Sequence, residues 1–534
     1  MRPPAANTTI STTTTLVVAF LVVGASFAGG ARADDGMTFY GSLASRAQGT
    51  APRTTSLRST RDLAMLSLLS EANLRGDGRY LDERVSVFLD VSAFLIAQGG
   101  YADVDADGAL TGVPDHEVTG AAPFVALSEF GVSVEPFDHL LLTFGKRRVT
   151  FGSGQAANPT DVLNPRRDPT DPSFQRTGVL LARADVPFER VTFTAIFSPA
   201  VLSSSHGLPH AVLAWPSALR TDDALAPPRV PDVDDDLHYA AIARVYALVE
   251  DTDVNAWIVA THRYQDDDAL RPRVALSLSR VFFTSHELHL EALVQQGSTR
   301  RQANPACVDD ANALGACLFA DTPVFVQDLV DEERPVLRAL VGWRFMPDDG
   351  SMLTVEYLYH SDGLSPGAFG DVAQLLSVVG EAERSGATTS GGSSTTSDGA
   401  LPARFAFEPL RRHTLLASYM VPAVADDFTL QATVIASVED LSSVASGAVL
   451  WQAREWLQLS VFGFLPIPSP GAVSRSLADD ERVGVDVLGA LSDAAPVGTR
   501  GYVPRGAVVG DRVYGEYDLA PFAGRIMLEA RAYF

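Results

Sequence analysis

The stretch "GRIMLEARAYF" (524–534) decides how the rest of the sequence is read. Taken by parity, Ile526, Leu528, Ala530, Ala532 and Phe534 fall on one side, and all are apolar. Arg525, Met527, Glu529, Arg531 and Tyr533 fall on the other, with charge at Arg525, Glu529 and Arg531. Side chains of a strand alternate between its two faces, so the stretch is a two-faced β-strand. Two environments suit such a strand: core and water on a soluble sheet, or lipid and wet lumen on a barrel wall. A single strand does not choose between them.

The same alternation recurs upstream. In "HELHLEALVQ" (286–295), Leu288, Leu290, Ala292 and Val294 oppose Glu287, His289 and Glu291. In "FTLQATVIAS" (428–437), Phe428, Leu430, Ala432, Val434 and Ala436 oppose Thr429, Gln431 and Thr433. Eighteen such segments are expected between Met37 and Phe534, and the only helical stripe is Val372, Leu375, Leu376 and Val379 within 371–384. Connections alternate in length. Quick turns such as "EDT", "FTS" and "MPDDG" alternate with long stretches at 99–123, 153–175, 200–236, 299–334, 363–408 and 467–522. Short turns at one end and long loops at the other are the pattern of a transmembrane barrel, whose closure also removes sheet edges. The expected fold is all-β: an antiparallel up-and-down transmembrane β-barrel of about eighteen strands, sixteen being the other even count. Trp257, Trp343, Trp451 and Trp456 are expected in its strands, some near the ends.

Residues 1–33 carry a basic start, the apolar run "LVVAFLVVGASFAGG" (16–30) and "ARA" at 31–33, the parts of a secretory signal peptide. Cleavage is expected after Ala33, leaving 34–534 as one barrel with a mobile loop at 363–408 and a long loop at 467–522. The formal net charge of −24 argues against a nucleic-acid partner, which requires Lys and Arg patches. The two cysteines, Cys307 and Cys317, are close in an exported chain and read as a disulfide stapling a loop.

The sequence also resembles a known group. Terminal Phe534, with apolar residues at every second position back to Ile526, is similar to the C-terminal signature of Gram-negative outer-membrane barrels. The stretch 140–171 resembles porin-like barrels in which a G-[KR]-x4-[WF]-G strand leads into an N-P-x-D-x-[LF]-x-P loop. Gly145, Lys146, Phe151 and Gly152 match the strand part, with Phe in place of the usual Trp. Asn158, Pro159, Asp161, Leu163 and Pro165 match the loop. The resemblance implies an outer-membrane channel, with lipid, lipopolysaccharide and small solutes as partners and the barrel-assembly machinery reading Phe534. A homo-oligomer is compatible with it.

Lys146 and Arg148 share a strand face, and a charge on the lipid face costs about 2–4 kcal/mol at mid-membrane, so both are expected to point inward. The following loop, with Asp161, Arg166 and Arg167, is expected to fold inward and form a constriction with them. Glu287, Glu291, Glu356, Arg525, Glu529 and Arg531 are expected to line the pore. No cofactor is expected, save a structural calcium at "DVDADG", where Asp103, Asp105 and Asp107 precede Gly108. The acidic runs "PDVDDD" (231–236) and "QDDDAL" (265–270) could hold divalent cations bridging lipopolysaccharide; solvated loop faces explain them as well. The sequence carries no G-x-S-x-G, H-E-x-x-H or Walker-type motif, so an enzyme is not expected; Glu287, His289 and Glu291 on one strand face are the residues an enzymatic reading would use. The expected function is passive passage of small hydrophilic solutes, anionic ones among them. The alternative is a surface adhesin or structural barrel working through its acidic loops.

Overall fold

Alternating sequence becomes wall when each strand finds a neighbour on both sides, and the last strand finds the first. The computed structural model describes residues 37–534, leaving out 1–36, 53–63, position 82, 105–109, 113–119, most of 155–177, 203–211, 214–236, 264–271, most of 299–333, 385–409, 470–506, 510–511 and 515–521. The signal peptide expected at 1–33 lies outside the described residues.

The first nine wall strands are β1 (Met37–Pro52), β2 (Ala64–Tyr80), β3 (Val85–Val104), β4 (Gly120–Phe137), β5 (Leu140–Arg147), β6 (Val179–Pro187), β7 (Val191–Leu202), β8 (Leu237–Val249) and β9 (Thr252–Arg263). The remaining nine are β10 (Arg273–Phe282), β11 (His286–Gln296), β12 (Pro335–Phe345), β13 (Met352–His360), β14 (His413–Val424), β15 (Phe428–Ser437), β16 (Ser443–Arg454), β17 (Leu457–Ile467) and β18 (Phe522–Tyr533). Each pairs antiparallel with the next, and β18 pairs with β1 from Tyr533 opposite Ser42 to Arg525 opposite Thr50. Backbone bonds between Gly41 and Phe534 (2.8 and 3.0 Å) finish the seam. The wall is therefore a closed eighteen-strand barrel with no free edge.

Parity sorts the side chains as the sequence predicts. On β18, Ile526 and Leu528 are exposed on the outer surface, while Met527 and Glu529 are buried inside. On β11, Leu288, Leu290 and Val294 are exposed outside, while Glu287, His289, Glu291 and Leu293 are buried inside. Exposed Phe144, Leu180, Phe193, Phe197, Ile258, Val341, Val434 and Val461 continue the apolar belt around the wall. A belt of that extent does not suit water. It suits a bilayer, in which only helices and closed barrels satisfy their backbone.

The short turns contain most of the non-glycine residues with positive φ, including Leu81, Glu83, Glu250, Phe283, Thr284, Ala425 and Asp426. Tight hairpins need such conformations to match strand twist. Aromatic residues gather near this end: Trp343 stacks on His286 (5.8 Å between ring centroids) and Phe345 (6.1 Å), Trp451 stacks on Phe428 (5.7 Å), and Trp456 is exposed in a turn. Trp257 departs from that grouping. It points into the barrel and is buried, because its parity is that of Asn255 and Val259.

Helix α1 (Pro366–Arg384) follows β13 and begins five residues before the expected 371. Ser365 caps it, its hydroxyl accepting from the Ala368 N–H (3.2 Å), and proline occupies the first helical position. Val372, Leu375 and Leu376 are buried together with Phe369 and Leu364. Those three residues of the expected stripe form a packed face. The strand expected to carry Lys146, Arg148, Phe151 and Gly152 instead stops at Arg147, and the residues after it build the interior site.

Candidate constriction inside the barrel

Beyond Arg147 the chain leaves the sheet and turns toward the inner faces of β9 and β11. Phe151 reaches Trp257, with ring centroids 5.4 Å apart. Val149, Phe151 and Leu163 join Val179, Leu181, Ile196, Ala240, Ile242, Trp257, Val259, Ala275 and Leu293 in one buried apolar cluster. This is a dry contact between a connection and the lumenal wall. Full burial of each large apolar side chain is worth about 1.5–3 kcal/mol, which offsets part of the chain entropy lost in ordering the segment.

The motif residues shape that segment. Gly152 adopts φ +77°, and an added Cβ would lie 2.4 Å from both a Glu291 carboxylate oxygen and the Thr160 hydroxyl. Only glycine fits there. Asn158 closes the turn: its side-chain N–H donates to the Phe151 carbonyl, and its Oδ1 accepts from the backbone N–H of Thr160 (3.0 Å) and Asp161 (3.1 Å). Glu291, 0% exposed, receives the segment. Its Oε1 accepts from the backbone N–H of Ser153 (2.5 Å) and Gly154 (2.7 Å), and its Oε2 lies 2.8 Å from the Thr160 hydroxyl. A buried carboxylate is tolerated only when hydrogen-bonded in this way.

Beside Glu291, the inner wall of β11–β13 holds a compact charged group. Arg344 donates to Glu287 (2.7 Å) and lies 3.4 Å from the Ser153 carbonyl. Ser279 donates to Glu287 (3.0 Å), and His289 Nε2 lies 3.2 Å from Glu356. Glu287, Glu291 and Glu356 face inward as parity requires, yet all three are buried. The opposite sector, β1–β5 with β18, carries a connected polar chain. Arg46 pairs with Glu529 (2.7 Å), Arg531 with Glu529 (3.1 Å) and Glu71 (3.8 Å), and Ser92 donates to Glu71 (3.1 Å). Asn73 joins Ser92 (2.9 Å) to Asp90 (2.7 Å), and Asp90 pairs with Arg148 (2.9 Å), whose backbone N–H donates to Glu129 (2.9 Å). Arg525 occupies the same inward parity as Glu529 and Arg531, opposite Thr50.

Lys146 differs from its expected direction. Register sets it between Phe130 and Leu180, both exposed on the outer face. Its ammonium turns back to the Leu127 carbonyl (2.6 Å). The residue next to it, Arg147, takes the inward place: it donates to Ser133 (3.2 Å) and lies 4.8 Å from the Phe88 ring centroid. Arg148 still reaches inward because the strand has ended, and alternation with it. Lys146 is itself buried, 5% exposed, so the bond to the Leu127 carbonyl holds its ammonium against the wall and out of the lipid.

Arg166, Arg167, Asp105, Asp107 and Cys317 lie outside the described residues, as do the acidic runs at 231–236 and 265–270. Asp103 belongs to the end of β3, opposite Thr111 of the short strand Leu110–Gly112. Cys307 is buried and disulfide-bonded. Among the described residues no group of three or more His, Cys, Asp or Glu is placed to hold a metal ion. Asp161 is half-buried within the inward segment. Arg147, Asp90, Glu129, Arg46 and Arg344 were not singled out from the sequence, and Trp257 was expected only as a strand residue; parity marks them as inward, but only cross-strand register brings their partners together.

No family model matches the chain, and no curated protein matches it. Among solved structures, it is similar to the outer membrane protein OpdK from Pseudomonas aeruginosa, with 9% identity and TM-score 0.42 over 93% of this chain and 98% of that one. It is also similar to OccK5 (OpdH) of the same organism, with 8% identity and TM-score 0.41 over 93% and 98%. Salmonella typhi OmpF in complex with daunomycin shows 8% identity and TM-score 0.37 over 94% and 98%. At such identity and TM-score, the likenesses assign this chain neither a residue role nor a solute.

Proposed function

We propose that the chain is a porin-like channel of the bacterial outer membrane that lets small hydrophilic solutes pass down their gradient. One observation carries this reading: a closed eighteen-strand wall is apolar outside and carries most of its polar and charged side chains inside, with the connection after β5 folded in against its inner face. Barrels of sixteen to eighteen strands are wide enough for an aqueous channel. The inward segment narrows that width on the β9–β11 side, so solutes pass along the charged sector of β1–β5 and β18. There Arg148, Glu129, Glu71 and Arg531 keep part of their side chains exposed. Their arrangement supports electrostatic selection, with Arg148 and Arg531 favouring anions and Glu71 and Glu129 favouring cations. The porin-like motif around Gly145–Leu163 and the terminal Phe534 support export, insertion by the barrel-assembly machinery, and contact with lipid and lipopolysaccharide. Homo-oligomerisation through the outer belt is compatible with the same surface.

The test is single-channel recording in planar bilayers with charged and neutral solutes. Stepwise conductance is the expected result, with Arg148→Gln and Arg531→Gln each lowering the anion-to-cation permeability ratio. A correctly folded barrel that carried no current would overturn the channel reading and favour the adhesin or structural alternative.

A further inference from the structure

We infer that Glu291 is the positioning residue of the constriction, a latch that holds the inward segment to the wall rather than a charge that solutes meet. The inference rests on the channel reading. Glu291 combines three features: its side chain is fully buried, it belongs to the regular strand β11, and its acceptor capacity goes to the segment after β5. Two consecutive backbone N–H groups, Ser153 and Gly154, converge on one oxygen, and the Thr160 hydroxyl approaches the other. These contacts bracket the loop at both ends of 153–160, so one side chain fixes its entry and its return. Arg344, anchored by Glu287, adds a contact to the Ser153 carbonyl from the adjacent strand. Gly152 completes the fit, since the carboxylate occupies the space a side chain there would need.

A latch and a pore charge respond differently to substitution. Glu291→Gln removes the charge but keeps an oxygen for the two N–H donors and an amide that can donate to Thr160. Glu291→Ala removes both functions and leaves two buried backbone donors without acceptors. Ser153→Cys serves as reporter: Cys307 is disulfide-bonded and the chain has two cysteines, so the introduced thiol is distinct, and the change leaves the Ser153 backbone N–H in place.

In the Ser153→Cys background, labelling by a small water-soluble methanethiosulfonate is expected to speed up about tenfold with Glu291→Ala and to change little with Glu291→Gln. In bilayers, Glu291→Ala is expected to raise and destabilise the conductance, while Glu291→Gln keeps both conductance and ion preference. If Gln and Ala shift ion preference equally, Glu291 is a pore charge. If Ala leaves labelling unchanged, it holds nothing. Either result overturns the inference. Labelling needs no current, so loss of the channel reading, seen as absent wild-type conductance, is distinguishable from failure of the latch. A variant that does not fold is recognised by its loss of heat-modifiable mobility on a gel, and Glu291→Gln then carries the test by its ion preference.

Discussion

At Gly342 a side chain would have nowhere to go. An added Cβ would lie 2.0 Å from His289 Nε2, because the imidazole crosses the β12 backbone to reach Glu356 on β13. Gly342→Ala should therefore displace the ring and cost about 1–3 kcal/mol, as overpacking generally does. Removing the ring should relieve the clash, so Gly342→Ala combined with His289→Ala should lose less than the sum of the two single changes. Urea unfolding of the detergent-solubilised barrel would measure the cycle; strict additivity would show that the two positions do not touch energetically. At this scale the sequence was legible in part. The parity of Glu287, Glu291, Glu529 and Arg531 gave their inward direction. It could not show that Glu291 is taken up by a loop, nor that Glu356 has His289 as its neighbour, since both facts depend on which residues stand across the sheet. Lys146 marks the limit of parity: one residue from a strand end, counting from the wrong side of the break exchanges it with Arg147.

Among elements, β15 shows how the two faces differ in what they tolerate. Val434 is exposed on the outer surface, while Gln431 lies inward on the parity of Thr433, which pairs with Ser418 (2.9 Å). Val434→Arg should cost up to about 2–4 kcal/mol near mid-membrane and reduce the inserted fraction, whereas Gln431→Arg should insert normally. Heat-modifiable protein recovered from outer membranes reports both; equal recovery would mean that the outer belt does not face lipid. Element number was readable because each strand supplies its own alternation and each short turn its own break. Boundaries were less so. β2 runs to Tyr80 through "RGDGRY", although Gly and Asp disfavour strands, because pairing with β3 continues to Tyr80 opposite Val85 and overrides local preference. The segment after β5 read as a continuation of the strand because "VTFG" alternates, yet its Val149 and Phe151 sit in the interior cluster.

For the whole molecule, closure was the inference that no single segment could supply. It required the long–short rhythm of connections, whereas the partners at the seam, Arg46 and Glu529, are 483 positions apart. The bonded pair Gly41 and Phe534 has a further consequence. Because the ends of the described wall lie side by side, the order of strands along the gene is separable from their order around the cylinder. A circular permutant that joins Phe534 to Met37 through a short linker and opens at the exposed "PDDG" turn between β12 and β13 keeps every wall pairing. It also ends on a different strand. If refolding from urea into detergent micelles needs only wall pairing, the permutant should reach the same heat-modifiable form as the parent chain. In cells it should insert poorly if Phe534 must be terminal to be read. Success in micelles with failure in cells would assign the aromatic end to delivery; success in both would assign it to the seam alone.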